Sequence, residues 1–299
     1  MTKPLISQLS ILIPTFNSKC TELVSQLQSQ AEAIPGLDYE ILVADDGSTD
    51  TDKVEANLKI TEWPHCRYLI RKENVGRAAI RNFLARSSRY DHLLFIDSHM
   101  PVISDHFLHT YLSHPDDDLV YGGYAITCEE KPHGNLRYLY EMSCIESQRH
   151  DRRTQSPYAN FHTSNFMVRR RVMLSYPLDE RFKRYGYEDV LWGKTLKSAG
   201  IRIIHIGNPV GFNHFESNSR FMEKTEEGLQ TLYDFRKDLS GYSRLLSVSH
   251  RLHQWHVDGM VRCVYGWSNR LLRKNLTGAN PSLSIFKLYR LGYYLTISH

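Results

Sequence analysis

The chain has 299 residues, of which 41% are hydrophobic and 23% charged, and this composition excludes a disordered, collagen-like or simple coiled-coil protein. A chain of this length buries a sizeable core without disulfides or metal staples. The longest apolar runs, such as 93–96, are far shorter than the ~18 residues that span a bilayer. The first residues, 1–4, begin no apolar segment of signal-peptide length. Five scattered cysteines without a CxxC pair are typical of reduced thiols in a cytoplasmic protein.

The positive charge is concentrated at the carboxyl end. Residues 241–299 hold eight basic residues and one acidic residue, which leaves the first 240 residues with a net negative charge although the whole chain carries +4. This asymmetry predicts a main domain, 1–240, and a basic, aromatic, helical extension, 241–299. The extension either lies on a membrane surface or packs as a helical cap on the main domain, and the sequence favours neither. A nucleic-acid partner is not expected.

Strand and helix patterns alternate through the first hundred residues, and strands continue beyond them. The apolar runs predict strands at 9–14, 40–44, 66–71, 92–96, 119–126, 165–170 and 202–206. The amphipathic stretches predict helices at 21–33, 53–60, 75–87, 189–198, 219–240 and in the final segment. Continuous apolar strands separated by helices indicate an α/β fold with a mostly parallel sheet covered on both faces.

Polar residues follow three of these strands, at Thr15 to Asn17, at Asp45-Asp46 and at Asp97 to His99. Ligands of parallel sheets bind at the carboxyl ends of the strands. The first strand is followed by Pro14-Thr15-Phe16-Asn17, so neither the dinucleotide-binding GxGxxG loop nor the phosphate-binding GxxxxGK[ST] loop is present there. If this edge binds a phosphate, a metal ion is therefore the expected source of positive charge.

The pair Asp45-Asp46 allows two interpretations. An acid at the end of the second strand can accept hydrogen bonds from ribose hydroxyls or from a base N–H. Alternatively, the segment Asp45 to Gly47 is a turn, and Asp50 or Thr51 caps the next helix. The proximity of Thr15, on the neighbouring strand end, favours a nucleoside site.

Asp97 and His99 follow the apolar strand 93–96 at a spacing of two residues. In an extended segment, alternation places them on the same side of the chain. A carboxylate and an imidazole suit Mn²⁺ or a similar divalent ion. The alternative is a buried Asp or His whose partners are backbone groups.

Glu188 and Asp189 open a predicted helix after Gly186-Tyr187. Adjacent carboxylates at this position either cap the helix, favoured by its dipole, or supply a general base for an acceptor hydroxyl. His214 lies farther along the chain and, taken alone, is more typical of a structural histidine.

Five segments in this order resemble family 2 glycosyltransferases of the GT-A fold. The resemblance spans about residues 7–216, and its motifs are Ile11-Leu12-Ile13-Pro14-Thr15-Phe16-Asn17, Val43-Ala44-Asp45-Asp46-Gly47-Ser48-Thr49-Asp50, Glu73-Asn74-Val75-Gly76-Arg77-Ala78-Ala79-Ile80-Arg81-Asn82, Phe95-Ile96-Asp97-Ser98-His99 and Tyr185-Gly186-Tyr187-Glu188-Asp189. The resemblance implies a nucleotide-sugar site that includes Pro14, Thr15, Asn17, Asp45, Asp46, Arg77, Arg81, Asp97 and Ser98. Thr15 and the two aspartates would contact uracil and ribose, and the arginines would lie near the base or the diphosphate.

The metal motif departs from the family pattern, since His99 replaces the second acid of the usual Asp-x-Asp. Asp-Ser-His resembles the motif of the polypeptide N-acetylgalactosaminyltransferases, in which an aspartate, a histidine and a later histidine hold Mn²⁺. This likeness implies Asp97, His99 and His214 as ligands of Mn²⁺ or Mg²⁺. The family resemblance also implies Asp189, with Glu188 beside it, as the catalytic base of an inverting transfer.

The expected function is therefore transfer of a sugar from a UDP-sugar to a hydroxyl of a glycan or lipid-linked acceptor, in glycan or polysaccharide biosynthesis. The expected location is the cytoplasm, with peripheral attachment to the inner face of the membrane as one option. Two alternatives remain. One is a phosphatase of the haloacid dehalogenase type, which also places Asp-x-Asp after an apolar strand. The other is an inactive sugar-nucleotide-binding protein.

Overall fold

A computed structural model describes residues 5–298 of the chain. The residues 1–4, which bear on the expected absence of an export signal, therefore lie outside the described residues. The chain forms two compact units. The sheet unit comprises the described residues up to Thr127 together with Ser147–Lys183 and Trp192–Asn213, and the helical unit comprises Cys128–Glu146, Arg184–Leu191 and the residues from His214 onward. The predicted domain boundary after residue 240 stays a prediction.

The described residues form nine strands and twelve α-helices. The strands are β1 (Gln8–Thr15), β2 (Asp38–Asp45), β3 (Cys66–Ile70), β4 (His92–Ile96), β5 (Leu119–Tyr121), β6 (Tyr124–Ile126), β7 (Asn165–Arg169), β8 (Ile203–His205) and β9 (Val210–Phe212). The helices are α1 (Thr21–Glu32), α2 (Thr51–Leu58), α3 (Arg77–Ser87), α4 (Phe107–Leu112), α5 (Leu136–Gln148), α6 (His150–Arg153), α7 (Arg170–Ser175), α8 (Glu188–Ser198), α9 (Asn218–Asp234), α10 (Arg244–Gln254), α11 (Asp258–Thr277) and α12 (Leu283–Ile297).

The central sheet of the sheet unit has seven strands in the order β3-β2-β1-β4-β7-β5-β8. All neighbouring pairs are parallel except those that involve β7, which runs antiparallel to both β4 and β5. The predicted mostly parallel α/β sheet is therefore confirmed. Its strands read as continuous apolar runs because both faces are buried, and Ile11, Leu12 and Ile13 are all fully buried.

The predicted strand at 119–126 is wrong as a single element. The chain turns at Gly122-Gly123, where Gly123 has a φ of +83°, a backbone conformation that favours glycine. The two halves enter different sheets, since β5 joins the central sheet and β6 pairs with β9. Apolar residues continue on both sides of the turn, but the Gly-Gly pair is itself a turn signal that the strand prediction did not use.

The helical unit contains its own apolar clusters. One cluster joins residues of α5, α9, α11 and α12, among them Phe221, Tyr265 and Phe286. The helices α11 and α12 pack closely, because Gly292 of α12 lies directly against the ring of Tyr265. Among residues 5–298, no helix combines the length and the apolar character that a membrane span requires.

Two glycines of this helix pair test the packing. A Cβ at Gly292 would lie 2.3 Å from Cδ2 of Tyr265, so we expect Gly292→Ala to lower the free energy of unfolding by about 1–3 kcal/mol. A Cβ at Gly266 of α11 meets nothing within 4 Å. We expect the matched control Gly266→Ala to raise the free energy of unfolding by up to about 1 kcal/mol, because alanine is the better helix former. Urea denaturation measures both, and equal effects of the two substitutions would contradict the packing described.

Candidate functional site

The carboxyl ends of β1, β2 and β4 meet at one edge of the central sheet. Thr15 lies opposite Asp45 in the parallel pair of β1 and β2, and Leu12 lies opposite Phe95 in the pair of β1 and β4. Asp97 follows the last residue of β4 directly. Thr15, Asp45 and Asp97 are buried, so the structure brings these predicted residues to the same sheet edge.

Asp45 organises the turn after β2. One of its carboxylate oxygens accepts a hydrogen bond from the Ser48 amide at 2.7 Å, and the other accepts one from the Tyr68 hydroxyl. Asp50 caps α2, since its side chain accepts a hydrogen bond from the Lys53 amide at 3.3 Å. The predicted cap of α2 by Asp50 is thus confirmed, whereas the nucleoside contacts of Asp45 and Asp46 stay a prediction. Tyr68 lies on β3, and no sequence motif links it to Asp45.

Asn17 links the loop after β1 to the loop after β2 through hydrogen bonds. Its Oδ1 accepts hydrogen bonds from the amides of Thr49 at 2.8 Å and Asp50 at 2.9 Å, and its own amide donates to Oγ of Ser48 at 2.7 Å. Its backbone has a φ of +49°, a conformation that asparagine tolerates better than most residues. Asn17 therefore positions the two loops, whereas its predicted ligand contact stays a prediction.

Asp46 fastens the loop that precedes α3. Its two carboxylate oxygens accept hydrogen bonds from the amides of Val75 at 2.9 Å and Gly76 at 3.0 Å. Burial raises the pKa of Asp46, and these two backbone hydrogen bonds partly offset that effect. Gly47 permits the loop after β2 to approach the backbone of Glu73 closely, because a Cβ at Gly47 would lie 2.6 Å from the carbonyl carbon of Glu73.

Asp97 forms a buried ion pair with Arg81 of α3. Nη2 of Arg81 donates to Oδ1 of Asp97, and Nη2 of Arg77 lies 3.5 Å from Oδ2. The Arg81 side chain is 2% exposed, and its Nη1 donates to the carbonyl of Arg77 at 3.0 Å. Burial on its own would raise the pKa of Asp97, but Arg81, Arg77 and His99 outweigh it, so the pKa is lowered. Asp97 is therefore held ionised.

Ser98 is buried beside Asp97, and the next residue, His99, is exposed. His99 contributes to the lowered pKa of Asp97, so this imidazole lies close to this carboxylate. Within residues 5–298, no group of three or more His, Cys, Asp or Glu side chains is arranged to hold a metal ion. The expected extended segment is wrong, since the chain turns at 98–99 and the Met100 amide donates to the Asp97 carbonyl at 3.0 Å, so alternation does not place Asp97 and His99 on one side. Their donor types nevertheless fit two ligands of a divalent ion. The three-ligand set that includes His214 stays a prediction.

Glu188 and Asp189 occupy the first turn of α8, as the sequence predicts, and belong to the helical unit. Glu188 is buried, and Oδ1 of Asp189 accepts a hydrogen bond from the Val190 amide at 2.8 Å. The loop before them has left-handed backbone at Gly186, with φ of +97°, and at Tyr187, with φ of +69°. A non-glycine residue in this region is uncommon, so the surrounding structure must hold the loop in this shape.

Helix α9 holds that loop. Oε1 of Glu227 accepts a hydrogen bond from the Tyr185 amide at 2.9 Å, and Oγ1 of Thr231 donates to the Tyr185 carbonyl at 3.0 Å. A Cβ at Gly186 would lie 3.6 Å from Cα of Gly228. The amide and the carbonyl of Tyr185 are thus bound by two side chains that lie one turn apart on α9. Sequence reasoning missed Glu227 and Thr231, because more than forty residues separate them from Tyr185.

The remaining predicted site residues are placed as follows. Pro14 lies in β1 opposite Ala44 of β2, one residue before the sheet edge. His214 is exposed, follows β9 and belongs to the helical unit. The predicted residues up to His99 belong to the sheet unit, and the three that follow belong to the helical unit.

Solved structures of similar fold define the class of this architecture. TarS residues 1–349 of S. aureus in complex with UDP superimposes with a TM-score of 0.52 at 17% identity, over 97% of this chain and 90% of that one. The mannosyltransferase PcManGT from Pyrobaculum calidifontis, in complex with GDP-Man and Mn²⁺, gives a TM-score of 0.56 at 12% identity, over 97% and 85%. At these identities the likeness shows the fold, and the fold is GT-A.

The family follows from the sequence match. The model of glycosyl transferase family 2 matches residues 10–176, more than half of the chain, and the chain belongs to that family. A curated relative is the poly(ribitol-phosphate) beta-N-acetylglucosaminyltransferase TarP of Staphylococcus aureus (strain N315), which is 27% identical over 128 residues. That match spans 40% of this chain and only 38% of the length of TarP.

The buried ion pair at the sheet edge predicts a large effect of Asp97→Asn on stability. Loss of the carboxylate leaves the guanidinium of Arg81 buried without the negative charge that faces it. We expect the free energy of unfolding at neutral pH to fall by about 3–5 kcal/mol. A suitable control is Asp118→Asn, since Asp118 pairs with Arg171 at the surface. We expect this substitution to lower the free energy of unfolding by only about 0–1 kcal/mol, and urea denaturation measures both variants.

The same pair predicts a pH dependence. Folding lowers the pKa of Asp97 below its ordinary 3.8, so the stabilisation is complete above that value and is lost as the pH falls through the pKa of the folded protein. The difference between wild type and Asp97→Asn in urea denaturation should therefore narrow below pH 3.8. A difference that is constant with pH would contradict the assignment.

Proposed function

We propose that this family 2 chain transfers a sugar from a nucleotide-sugar, a UDP-sugar in the first instance, to a hydroxyl of a glycan or lipid-linked acceptor. The observation that carries the proposal is the contact of Asp97, at the carboxyl end of β4, with the cations Arg81 and Arg77. This edge is where ligands of α/β sheets bind.

The sheet edge offers groups suited to a nucleoside diphosphate. Thr15, Asp45 and Asp46 present oxygen atoms at the ends of β1 and β2, and a carboxylate oxygen that already accepts one hydrogen bond can accept another. These residues would bind uracil and ribose. Arg77, 41% exposed in its side chain, is the cation better placed to reach a phosphate, since Arg81 is buried on Asp97. Loops fixed by Asn17 and Asp46 would keep these groups in place.

The relatives support the choice of donor. S. aureus TarS has been solved with UDP and with UDP-GlcNAc, and TarP is a poly(ribitol-phosphate) beta-N-acetylglucosaminyltransferase. A UDP-linked sugar and an acceptor in polysaccharide biosynthesis, of the teichoic-acid kind, are therefore proposed for this chain. Membership of family 2 argues against the phosphatase alternative.

A divalent cation, Mn²⁺ or Mg²⁺, is part of the proposal. Asp97 and His99 would hold it. His214 is proposed as the third ligand from the pattern of the polypeptide N-acetylgalactosaminyltransferases alone, since no such group of three is assembled within residues 5–298. Bound there, the ion would neutralise charge on the leaving diphosphate. The lowered pKa of Asp97 keeps its carboxylate in the form that binds cations, and Arg81 fixes its orientation through Oδ1.

Asp189 is proposed as the base that takes the proton from the attacking acceptor hydroxyl, with buried Glu188 beside it. It lies in the first turn of α8, at the positive amino end of the helix, where acidic side chains are favourable. Glu227 and Thr231 would act as positioning residues, since they hold the loop that leads to Asp189. Direct attack of the hydroxyl on the anomeric carbon would invert its configuration.

The assignment of Asp189 is tested with Asp189→Asn. We expect the turnover of donor and acceptor to fall by about 10²–10⁴-fold, the usual contribution of a general base, while the Kd for UDP is unchanged. The control is Asp234→Asn, a surface acid of α9 that pairs with Arg184. UDP release and calorimetric UDP titration measure the two effects. Full activity of Asp189→Asn would overturn the assignment, and UDP binding without any turnover in wild type would favour an inactive sugar-nucleotide-binding protein.

The metal assignment is tested by the binding of Mn²⁺ itself. We expect His99→Ala and His214→Ala each to weaken Mn²⁺ binding in the presence of UDP by at least about tenfold, the lower end of what loss of a supporting metal contact costs. His109→Ala, at an exposed histidine of α4, is the matched control. Electron paramagnetic resonance of free Mn²⁺ measures the affinity. An unchanged affinity in His214→Ala would restrict the protein ligands to Asp97 and His99.

A further inference from the structure

Helix α11 presents an exposed apolar stripe to solvent. Met260, Val264, Trp267 and Leu271 follow one another at spacings of four, three and four residues, which places them on one face of the helix. Trp267 is 86% exposed and Leu271 is 72% exposed. The opposite face carries Tyr265 and Leu276, which are buried in the core of the helical unit. A stripe of four exposed apolar side chains, on a helix whose other face is already buried, indicates an interaction surface.

The same face is positively charged. Arg270 and Lys274 are exposed and lie one helical turn apart beside the stripe. The only acid between residues 241 and 299 is Asp258, which is buried and lies 3.5 Å from Arg262 and 3.7 Å from His253. No other acid of α11 is present to neutralise the two cations.

We propose that the α11 face formed by Met260, Val264, Trp267, Arg270, Leu271 and Lys274 docks the protein on an anionic phospholipid surface. An interfacial helix combines basic residues with tryptophan and aliphatic residues, whose apolar groups enter the boundary between headgroups and acyl chains. Tryptophan is especially suited to this boundary, because its ring is apolar and its N–H is polar. The proposal does not depend on the enzymatic function proposed above.

The charge pattern favours lipid over a second copy of the chain. A two-fold dimer through this face would bring the same patch of both copies together. Arg270 and Lys274 of one copy would then approach Arg270 and Lys274 of the other, with no acid on either helix face to compensate. An anionic bilayer supplies the opposite charge along with an apolar layer.

The proposal predicts that the full chain co-sediments with vesicles of phosphatidylcholine and phosphatidylglycerol, and more weakly with vesicles of phosphatidylcholine alone. We expect binding to fall as salt is raised, since the attraction is screened. The double variant W267Q/L271Q should bind at least about tenfold more weakly, because it removes the two most exposed apolar side chains of the face. The double variant R270Q/K274Q should lose about tenfold or more on the anionic vesicles and little on the neutral ones.

The control is L58Q/L174Q, which changes two leucines that are each 44% exposed on α2 and α7. Its vesicle binding should equal that of wild type. The proposal is overturned if wild type fails to bind anionic vesicles, or if the control loses as much binding as W267Q/L271Q. It is also overturned if sedimentation velocity shows that W267Q/L271Q dissociates a dimer while vesicle binding is retained, since the face would then join two copies.

The membrane-docking proposal and the sugar-transfer proposal are tested by independent experiments, so either can be refuted without the other. The binding experiment contains neither donor nor acceptor, and UDP release is measured without lipid. Trp267 and Leu271 are outside the proposed site, so W267Q/L271Q should keep the wild-type rate of UDP release in solution. Loss of vesicle binding with intact UDP release therefore reports on the α11 face alone.

Discussion

The ion pair between Asp97 and Arg81 is the interaction on which the candidate site depends. It joins the end of β4 to α3 in a place where Arg81 is 2% exposed, so both charges have lost most of their water. A buried pair of this kind is not in itself a source of great stability, because desolvation of two ions offsets much of their attraction. Its consequence is chemical: a carboxylate at the sheet edge stays ionised and keeps one orientation, as a cation site requires.

Side chains that bind backbone groups give the surrounding loops their shape. Asp46 holds the amides before α3, Asn17 holds the loop after β2, and Glu227 with Thr231 holds the loop before α8. Asn17 and Asp46 thus hold the backbone and are also proposed site residues, whereas Glu227 and Thr231 hold the loop that leads to a proposed site residue. A site built from loops gains precision when the loops are fixed in this way.

The sequence was sufficient for the seven strands of the central sheet, apart from the break at Gly122-Gly123, because buried strands read as continuous apolar runs. It did not predict β9, which is only three residues long. It was insufficient for contacts between distant segments. Nothing in the local pattern pairs Arg81 with Asp97, Tyr68 with Asp45 or Glu227 with Tyr185, since such pairs are made by the topology of the sheet and the packing of helices. The break at Gly122-Gly123 is a different case, because the Gly-Gly pair signals a turn in the sequence, and the strand prediction followed the apolar residues on both sides of it instead.

The central claim is that Asp97, held by Arg81, serves a nucleotide-sugar site that works with a divalent cation. Isothermal titration of the full chain with UDP, in the presence of Mn²⁺ and again in the presence of a chelator, tests it most directly. The account predicts that Mn²⁺ tightens UDP binding. The same Kd under both conditions, or no binding of UDP under either, would contradict it.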